Sequence, residues 1–293
     1  MQITASLVKE LRDKTGAGMM DCKKALTECE GDIAKATDWL REKGISKAAK
    51  KSGRIAAEGL SRVKTNGNKA VLVEVNSETD FVAKNDKFVA LLDGITEALL
   101  NSDAKTLDDA NALALNGSTV ADEIINATAT IGEKISLRRF VLVEKNDDET
   151  FGQYMHNGGS ISALAVVKGG DAAVAKDMAM QVASMNPQYI SREHMDADFV
   201  KHEEEIQWEI IKNDASLASK PEKVLQGILN GRLSKSLQEI SLVDQVYFKD
   251  QDKKVGQFLK ENNATVTNFV RYQVGEGMEK REENFAEEVA NAF

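Results

Sequence analysis

Proline is almost missing from this chain: two residues, Pro187 and Pro221, in 293. So few breakers point to long uninterrupted elements. Cysteine is equally scarce. Cys22 and Cys29 form no CxxC pair and no disulfide framework, and they read as idle or buried thiols. The histidines His156, His194 and His202 make no HExxH pair, so no zinc site is indicated. There is no GxxxxGK[ST] phosphate loop and no GxSxG elbow. No apolar run reaches transmembrane length, and residues 1–11 lack the charged-then-apolar pattern of a signal peptide. The expectation is a cytoplasmic protein. A net charge of -9 opposes a general role on nucleic acid or anionic membrane, because both are polyanions. It suits a protein that meets other proteins. With 42% hydrophobic residues, the chain has enough apolar material for two or three domains.

The most informative stretch is Glu74 to Asn85, EVNSETDFVAKN. The apolar run Ala70-Val71-Leu72-Val73, preceded by Asn66-Gly67, reads as a buried strand. Ser77 with Asp80 fits a capping box, and Thr79 is a second candidate cap. Val82, Phe88, Val89, Leu92, Ile95 and Leu99 then recur at helical spacing. Phe81 has two readings. An aromatic in a first helical turn is usually core; held outward by a capped helix, it would be a rigid anchor with little rotamer entropy to lose.

A weak repeat bears on that choice. Residues 70–84 lie over 162–176 without gaps, placing Leu72 on Leu164, Val75 on Val167 and Val82-Ala83-Lys84 on Val174-Ala175-Lys176. Ile131-Gly132-Glu133 leading to Phe140-Val141-Leu142-Val143 parallels Val255-Gly256-Gln257 leading to Phe269-Val270-Arg271-Tyr272. Two related α+β subdomains follow, each a small antiparallel sheet backed by helices. Where the first copy has Asp80-Phe81, the second has Ala172-Ala173. The fold does not require a large side chain there, which favours the exposed reading of Phe81.

The first fifty residues suggest three helices. Thr4 caps the first, with Leu7, Val8 and Leu11 on one face; Gly16 and Gly18 break it. The second runs from about Met20 to Gly31. Asp32 caps the third, which carries Ile33, Ala36, Trp39 and Leu40 and ends at Gly44. Such a bundle is marginal in size for independent folding. Met19 and Met20 fall between the first two helices, as contact residues or as gap-filling core. Residues 44–60, with Lys47, Lys50, Lys51 and Arg54, read as a basic helical connector without aromatic stacking partners for nucleic acid. Residues 101–126 read as helix broken near Asn116-Gly117. After Pro187, the stripe Phe199, Ile206, Ile210 and the stripe Leu225, Leu229, Leu233, Leu237, Ile240 make an antiparallel hairpin, its second helix opened by Ser219-Lys220-Pro221-Glu222. Met278, Phe285, Val289 and Phe293 fit a C-terminal amphipathic helix that docks on its own chain or on a partner.

Two stretches carry a family resemblance. Leu11 to Leu26, LRDKTGAGMMDCKKAL, resembles the first signature of the elongation factor Ts family, and residues 74–85 resemble its second; the likeness extends to Val274-Gly275-Glu276-Gly277. The resemblance implies an α+β fold with five parts: a three-helix (UBA-like) domain and basic linker over 1–54, a core subdomain over 55–148, a second over 149–186 with 241–272, a protruding helical hairpin over 187–240, and a C-terminal module over 273–293. It implies no enzyme but a guanine-nucleotide exchange factor that binds elongation factor Tu, dislodges its Mg2+ and promotes GDP release. Thr79, Asp80, Phe81 and Val82 would then act at the Mg2+ site of elongation factor Tu, and Arg12, Met19, Met20, Lys23, His156 and Phe248 would be further contacts. His156 inherits its role from a tyrosine-x-histidine setting, in which this chain departs by carrying Ser162 for the usual glycine. The hairpin would allow a homodimer, as it contributes to self-association in some members. Metal and nucleotide belong to the partner, so no cofactor is assigned to this chain, and no direct nucleic-acid or membrane contact. Two rival readings are an enzyme using Asp80 with His156 as acid and base, and an adaptor whose N-terminal bundle binds an unrelated helix.

Overall fold

The structure is a computed structural model that describes residues 3–279. The expected C-terminal helix falls beyond Glu279 and so lies outside the described residues; Met278 itself sits in a turn. The fold is α+β and divides into two compact units. Among the described residues, the first comprises 3–144, 155–161 and 272–279; the second comprises 145–154 and 162–271.

The first unit opens with α1 (Ala5–Thr15), α2 (Met19–Glu28) and α3 (Ile33–Lys51). The Thr4 side chain accepts from the Leu7 amide, and the Asp32 side chain from the Lys35 amide. These caps satisfy helix-end donors that lack intrahelical partners. Val8, Leu11, Cys22, Ala25, Leu26 and Ala36 form the core of the bundle. Burial pushes the Cys22 thiol pKa up, so it stays a neutral packing group. Gly44 does not end the third helix as its sequence suggested. It is buried inside α3, where an added Cβ would lie 3.4 Å from the Cβ of Ala129. The glycine serves close helix approach rather than termination.

There follow β1 (Glu58–Asn66), β2 (Lys69–Ser77), α4 (Asp80–Ala83), α5 (Asp86–Leu100), α6 (Leu107–Ala112), a small hairpin of β3 (Ala114–Leu115) and β4 (Ser118–Thr119), α7 (Val120–Ile131) and β5 (Ser136–Glu144). The break expected at Asn116-Gly117 is the turn of that hairpin, with both residues at positive φ. Strand β2 is central in an antiparallel sheet of order β1-β2-β5. Its Val71, Val73 and Val75 pack against Phe88, Leu92, Ile95 and Leu99 of α5, the main core of this unit.

The second unit is built on most of β6 (Glu149–His156), β7 (Ile161–Lys168) and β10 (Thr265–Gln273), whose residues 155–156, 161 and 272–273 fall in the first unit, together with α8 (Ala172–Met185), α9 (Ala197–Lys212), α10 (Glu222–Ile240), β8 (Val246–Tyr247), β9 (Asp250–Lys254) and α11 (Val255–Glu261). Its sheet has the order β10-β7-β6, so the strand corresponding to β2 is again central and leads into a helix. The expected partner strand recurs, since Phe140–Val143 lie in β5 beside β2 and Phe269–Tyr272 in β10 beside β7, but the segments that lead into it differ. Ile131-Gly132-Glu133 closes α7, with Gly132 in the left-handed region, whereas Val255-Gly256-Gln257 opens α11. Helices α9 and α10 form the expected hairpin, tied by Ser236 Oγ donating to Glu203 Oε1 at 2.7 Å. Helix α10 starts at Glu222, with Pro221 at its N-cap position and no side-chain cap, so Ser219 does not cap it as a capping box over Ser219–Glu222 would require. Ile206 and Ile210 of α9 are exposed rather than packed inside the hairpin.

Candidate partner-contact site

Strand β2 ends at the buried Ser77, whose hydroxyl donates to the Thr79 carbonyl at 3.0 Å. The next two residues are held from outside their own helix. Both carboxylate oxygens of Glu78 lie 3.2 Å from Nη1 of Arg54, and the Lys134 amide donates to Glu78 at 2.6 Å. The amide and hydroxyl of Thr79 both donate to the Glu133 carboxylate, at 3.0 and 2.7 Å. Thr79 occupies the N-cap position, but its side chain does not cap α4, and no Ser77–Asp80 capping box forms. The sequence placed a cap here; the structure instead uses a clamp from the loop after α7.

On this clamped base, α4 makes a single turn. Val82 and Ala83 point inward and are buried, while Asp80 and Phe81 are exposed. The helical run from residue 80 onward is therefore two helices, because the Asn85 side chain accepts from the Lys87 amide and starts α5 afresh. Phe81 is 79% exposed. Lys84 Nζ lies 2.9 Å from Asp80 Oδ2 and 6.0 Å from the Phe81 ring centre, covering one side of the ring without burying it.

The N-terminal bundle meets this region through Lys87, whose Nζ donates to the Gly16 carbonyl at 3.3 Å. Beyond that turn, Met19 and Met20 open α2 at 59% and 75% exposure. They lie in the first turn of α2 rather than in the connecting turn. Arg12 and Lys23 are exposed on α1 and α2. Phe81, Met20 and Met19 are the three most exposed large apolar side chains among the described residues. Each would gain roughly 1.5–3 kcal/mol from burial.

His156 is also exposed and belongs to the first unit. Its carbonyl accepts from the Gly159 and Ser160 amides, closing a tight turn with Asn157 at φ 47°. That turn docks on β1. The Gly159 carbonyl accepts from the Ser61 amide at 2.7 Å and the Ser61 hydroxyl at 2.8 Å. A Cβ on Gly159 would stand 2.4 Å from the Ser61 carbonyl oxygen, so only glycine fits. Phe248 belongs to the second unit and is half-buried. Its amide donates to Gln181 Oε1 at 2.9 Å, and its ring meets Tyr247 edge-on at 5.3 Å. Tyr247 stacks on Phe258 and donates to Asp177 at 2.6 Å; burial and that carboxylate hold its phenol pKa well above the ordinary value. The predicted residues therefore gather in the first unit, except Phe248.

No group of three or more His, Cys, Asp or Glu among the described residues is arranged to hold a metal ion. No described helix is long and apolar enough to cross a membrane.

Known proteins match along nearly the whole chain. The profile of the family described as Elongation factor TS matches residues 78–276, and a profile described as Elongation factor Ts, mitochondrial, N-terminal matches residues 1–52. This chain belongs to the elongation factor Ts family. A relative named Elongation factor Ts, from Lactiplantibacillus plantarum, is 50% identical over 290 residues, covering 99% of this chain and 98% of that protein. Membership places the chain among translation elongation factors. Sequence reasoning missed Arg54, Glu133 and Lys134, which clamp the base of the exposed turn. They lie distant in sequence from residue 78, and nothing in their local pattern differs from ordinary surface charge.

Proposed function

We propose that this chain is a guanine-nucleotide exchange factor for elongation factor Tu, acting in the cytoplasm during translation elongation, and that Phe81 is its principal wedge. One observation carries the reading: a phenylalanine stands 79% exposed on a one-turn helix whose base is clamped on several sides. A ring held this way loses little freedom when it enters an apolar crevice. Thr79 to Val82 dock beside the nucleotide and Mg2+ pocket of the partner. Phe81 and Asp80 displace the elements that hold the metal and its waters, phosphate binding loosens, and GDP leaves. Both metal and nucleotide are the partner's.

Magnitudes limit what one ring does. A nanomolar nucleotide site is worth about 12 kcal/mol, against roughly 1.5–3 kcal/mol for burying one phenylalanine. Arg12, Met19, Met20, Lys23, His156, Phe248 and the C-terminal segment must contribute binding that is realised only when the pocket is distorted. Linkage then requires reciprocity: nucleotide weakens this protein's hold by the same factor by which this protein weakens nucleotide. The protein therefore binds empty elongation factor Tu best, and GTP expels it.

The test is release of fluorescent GDP from elongation factor Tu. The expected result is strong acceleration by the wild-type chain and loss of most of it in Phe81→Ala. Equal acceleration by the two proteins would remove Phe81 from the mechanism, and no acceleration by either would end the reading.

A further inference from the structure

Strand β2 does not run straight into the clamped turn. Its register with β5 shifts between Glu74 and Val75: Glu74 faces Arg139 and Val75 faces Leu137, which leaves Arg138 as an extra residue on β5. A bulge of this kind bends the strands and increases their twist. Here it also brings two consecutive arginines to one carboxylate. Arg139 Nε donates to Glu74 Oε2 at 2.6 Å and Arg138 Nη1 to Oε1 at 2.9 Å. Glu74 is entirely buried.

A third element closes over the same carboxylate. The Gly275 amide donates to Glu74 Oε1 at 2.9 Å, and the Asn76 side chain donates to the same oxygen at 3.1 Å. Arg139 also reaches the Gln273 carbonyl at 3.0 Å and lies 4.1 Å over the Tyr272 ring, while Arg138 reaches the Glu276 carbonyl. Residues 272–276 thus form a strap across β2 and β5. Gly275 has φ +72°, and a Cβ there would stand 2.2 Å from the Ala57 carbonyl oxygen, so the strap passes this point only as glycine. All these groups lie in the first unit.

We propose that Glu74 is a positioning residue: with the Arg138 bulge and the 272–276 strap, it fixes the direction in which the end of β2 presents Phe81. Only Val75 and Asn76 separate Glu74 from the strand's last residue, Ser77. A buried carboxylate with four donors holds the bulge in one geometry, because each oxygen must be satisfied. An amide in its place would turn an NH2 group toward a guanidinium or leave a donor unmet. The twist set at the bulge then reaches the clamped turn through three residues of paired strand. The inference rests on the exchange function proposed above.

Two measurements test it. The first is hydrogen exchange on the free protein, read at residues 273–276 and at the Lys84 and Asn85 amides that close α4. Glu74→Gln and Gly275→Ala are each expected to speed exchange in both places. If the strap loosens while the amides of residues 84 and 85 keep their wild-type protection, the proposal fails. The second is the GDP-release titration. Glu74→Gln is expected to lower the plateau rate about tenfold, since misplacing a positioned group by an ångström costs up to a hundredfold; the half-saturating concentration should shift less than twofold. In the Phe81→Ala background the same substitution should cost nothing further, because two groups acting through one contact are non-additive. An equal loss with and without Phe81 would mean general weakening of the fold and would overturn the proposal. Should Glu74→Gln not fold, Gly275→Ala carries both tests, since it displaces the strap while keeping the Glu74 carboxylate and both arginines in the chain. If the wild-type chain does not accelerate GDP release at all, the exchange function itself falls, and the hydrogen-exchange result still decides whether strap and turn are coupled.

Discussion

The two halves of this molecule solve the same local problem differently. In each, a central strand ends, the chain turns, and a helix begins. Residues 77–83 read Ser-Glu-Thr-Asp-Phe-Val-Ala, and the corresponding residues 169–175 read Gly-Gly-Asp-Ala-Ala-Val-Ala. The burial pattern of the first helical turn is the same: two exposed residues, then two buried ones, Val82-Ala83 and Val174-Ala175. The second half uses economical local chemistry. Gly169 and Gly170 take positive φ, and Asp171 caps α8 by accepting from the Val174 amide at 2.9 Å. The first half uses no glycine and no local cap, but recruits Arg54, Glu133 and Lys134 from distant segments, and its helix stops after one turn. The fold needs the buried pair. It does not need Asp80 and Phe81, which are an addition carried on a purpose-built mount.

The sharpest way to break this comparison is to treat two phenylalanines alike. Phe88 is fully buried one short helix beyond Phe81. Phe88→Ala should cost about 3–5 kcal/mol in a urea melt, as expected for emptying a packed aromatic site. Phe81→Ala should change stability by less than about 0.5 kcal/mol, as at an ordinary surface position, although it removes the same atoms. A loss at residue 81 approaching that at residue 88 would mean that the ring belongs to the core.

A second distinction is electrostatic. The position in β7 that corresponds to Glu74 is the buried Val166, so only the first sheet carries a buried charge in its central strand. Burial by itself would push the Glu74 pKa up. The Gly275 amide and the Arg138 and Arg139 guanidinium groups outweigh it and hold the carboxyl below its ordinary value of 4.5. A depressed folded-state pKa stabilises the fold above the unfolded value, and that contribution is lost as pH falls through the folded value. Glu74→Gln should therefore cost up to about 3 kcal/mol at pH 7; this is the low end for breaking a buried pair, since both arginines keep some contact with water. The gap between the two proteins should narrow as pH drops below 4.5. The comparison with the variant isolates Glu74, because Glu149 of the second sheet is also held low, chiefly by the Thr267 hydroxyl and the Asn146 amide. A gap independent of pH would show that the carboxylate's charge contributes nothing.

Much of this was legible in the sequence. An apolar run marks β2, capping residues mark the bundle, and two apolar stripes mark the hairpin. The Ala172-Ala173 pair in the repeat places Phe81 outside the core, as its exposure bears out. Signals that have one local meaning were read correctly, such as Thr4 and Asp32 as caps. Where a residue type has several uses, pattern alone misled. Gly44 is a point of helix contact and not a stop, and Thr79 serves a clamp rather than a cap. Arg138, Arg139 and Gly275 could not be joined to Glu74, because their meeting depends on a one-residue bulge and on contacts across most of the chain.

The smallest expected effect is at the second copy's vacant position. Ala173 is exposed at the place where Phe81 stands in the first copy. Ala173→Phe should alter stability by no more than about 0.5 kcal/mol, since it adds an aromatic at a surface site that buries nothing. If any exposed ring on such a turn were enough, Phe81→Ala combined with Ala173→Phe would recover GDP release. No recovery is expected. Residues 169–171 turn on two glycines and a local cap, with no ionic clamp from other segments among the described residues, and Asp80 has no counterpart, its place being taken by Ala172. On the proposed mechanism the aromatic acts only where the base beneath it is fixed and an acidic neighbour stands beside it. Recovery of even a tenth of the wild-type rate in the double variant would show that the ring alone suffices and that the clamp of Arg54, Glu133 and Lys134 is dispensable.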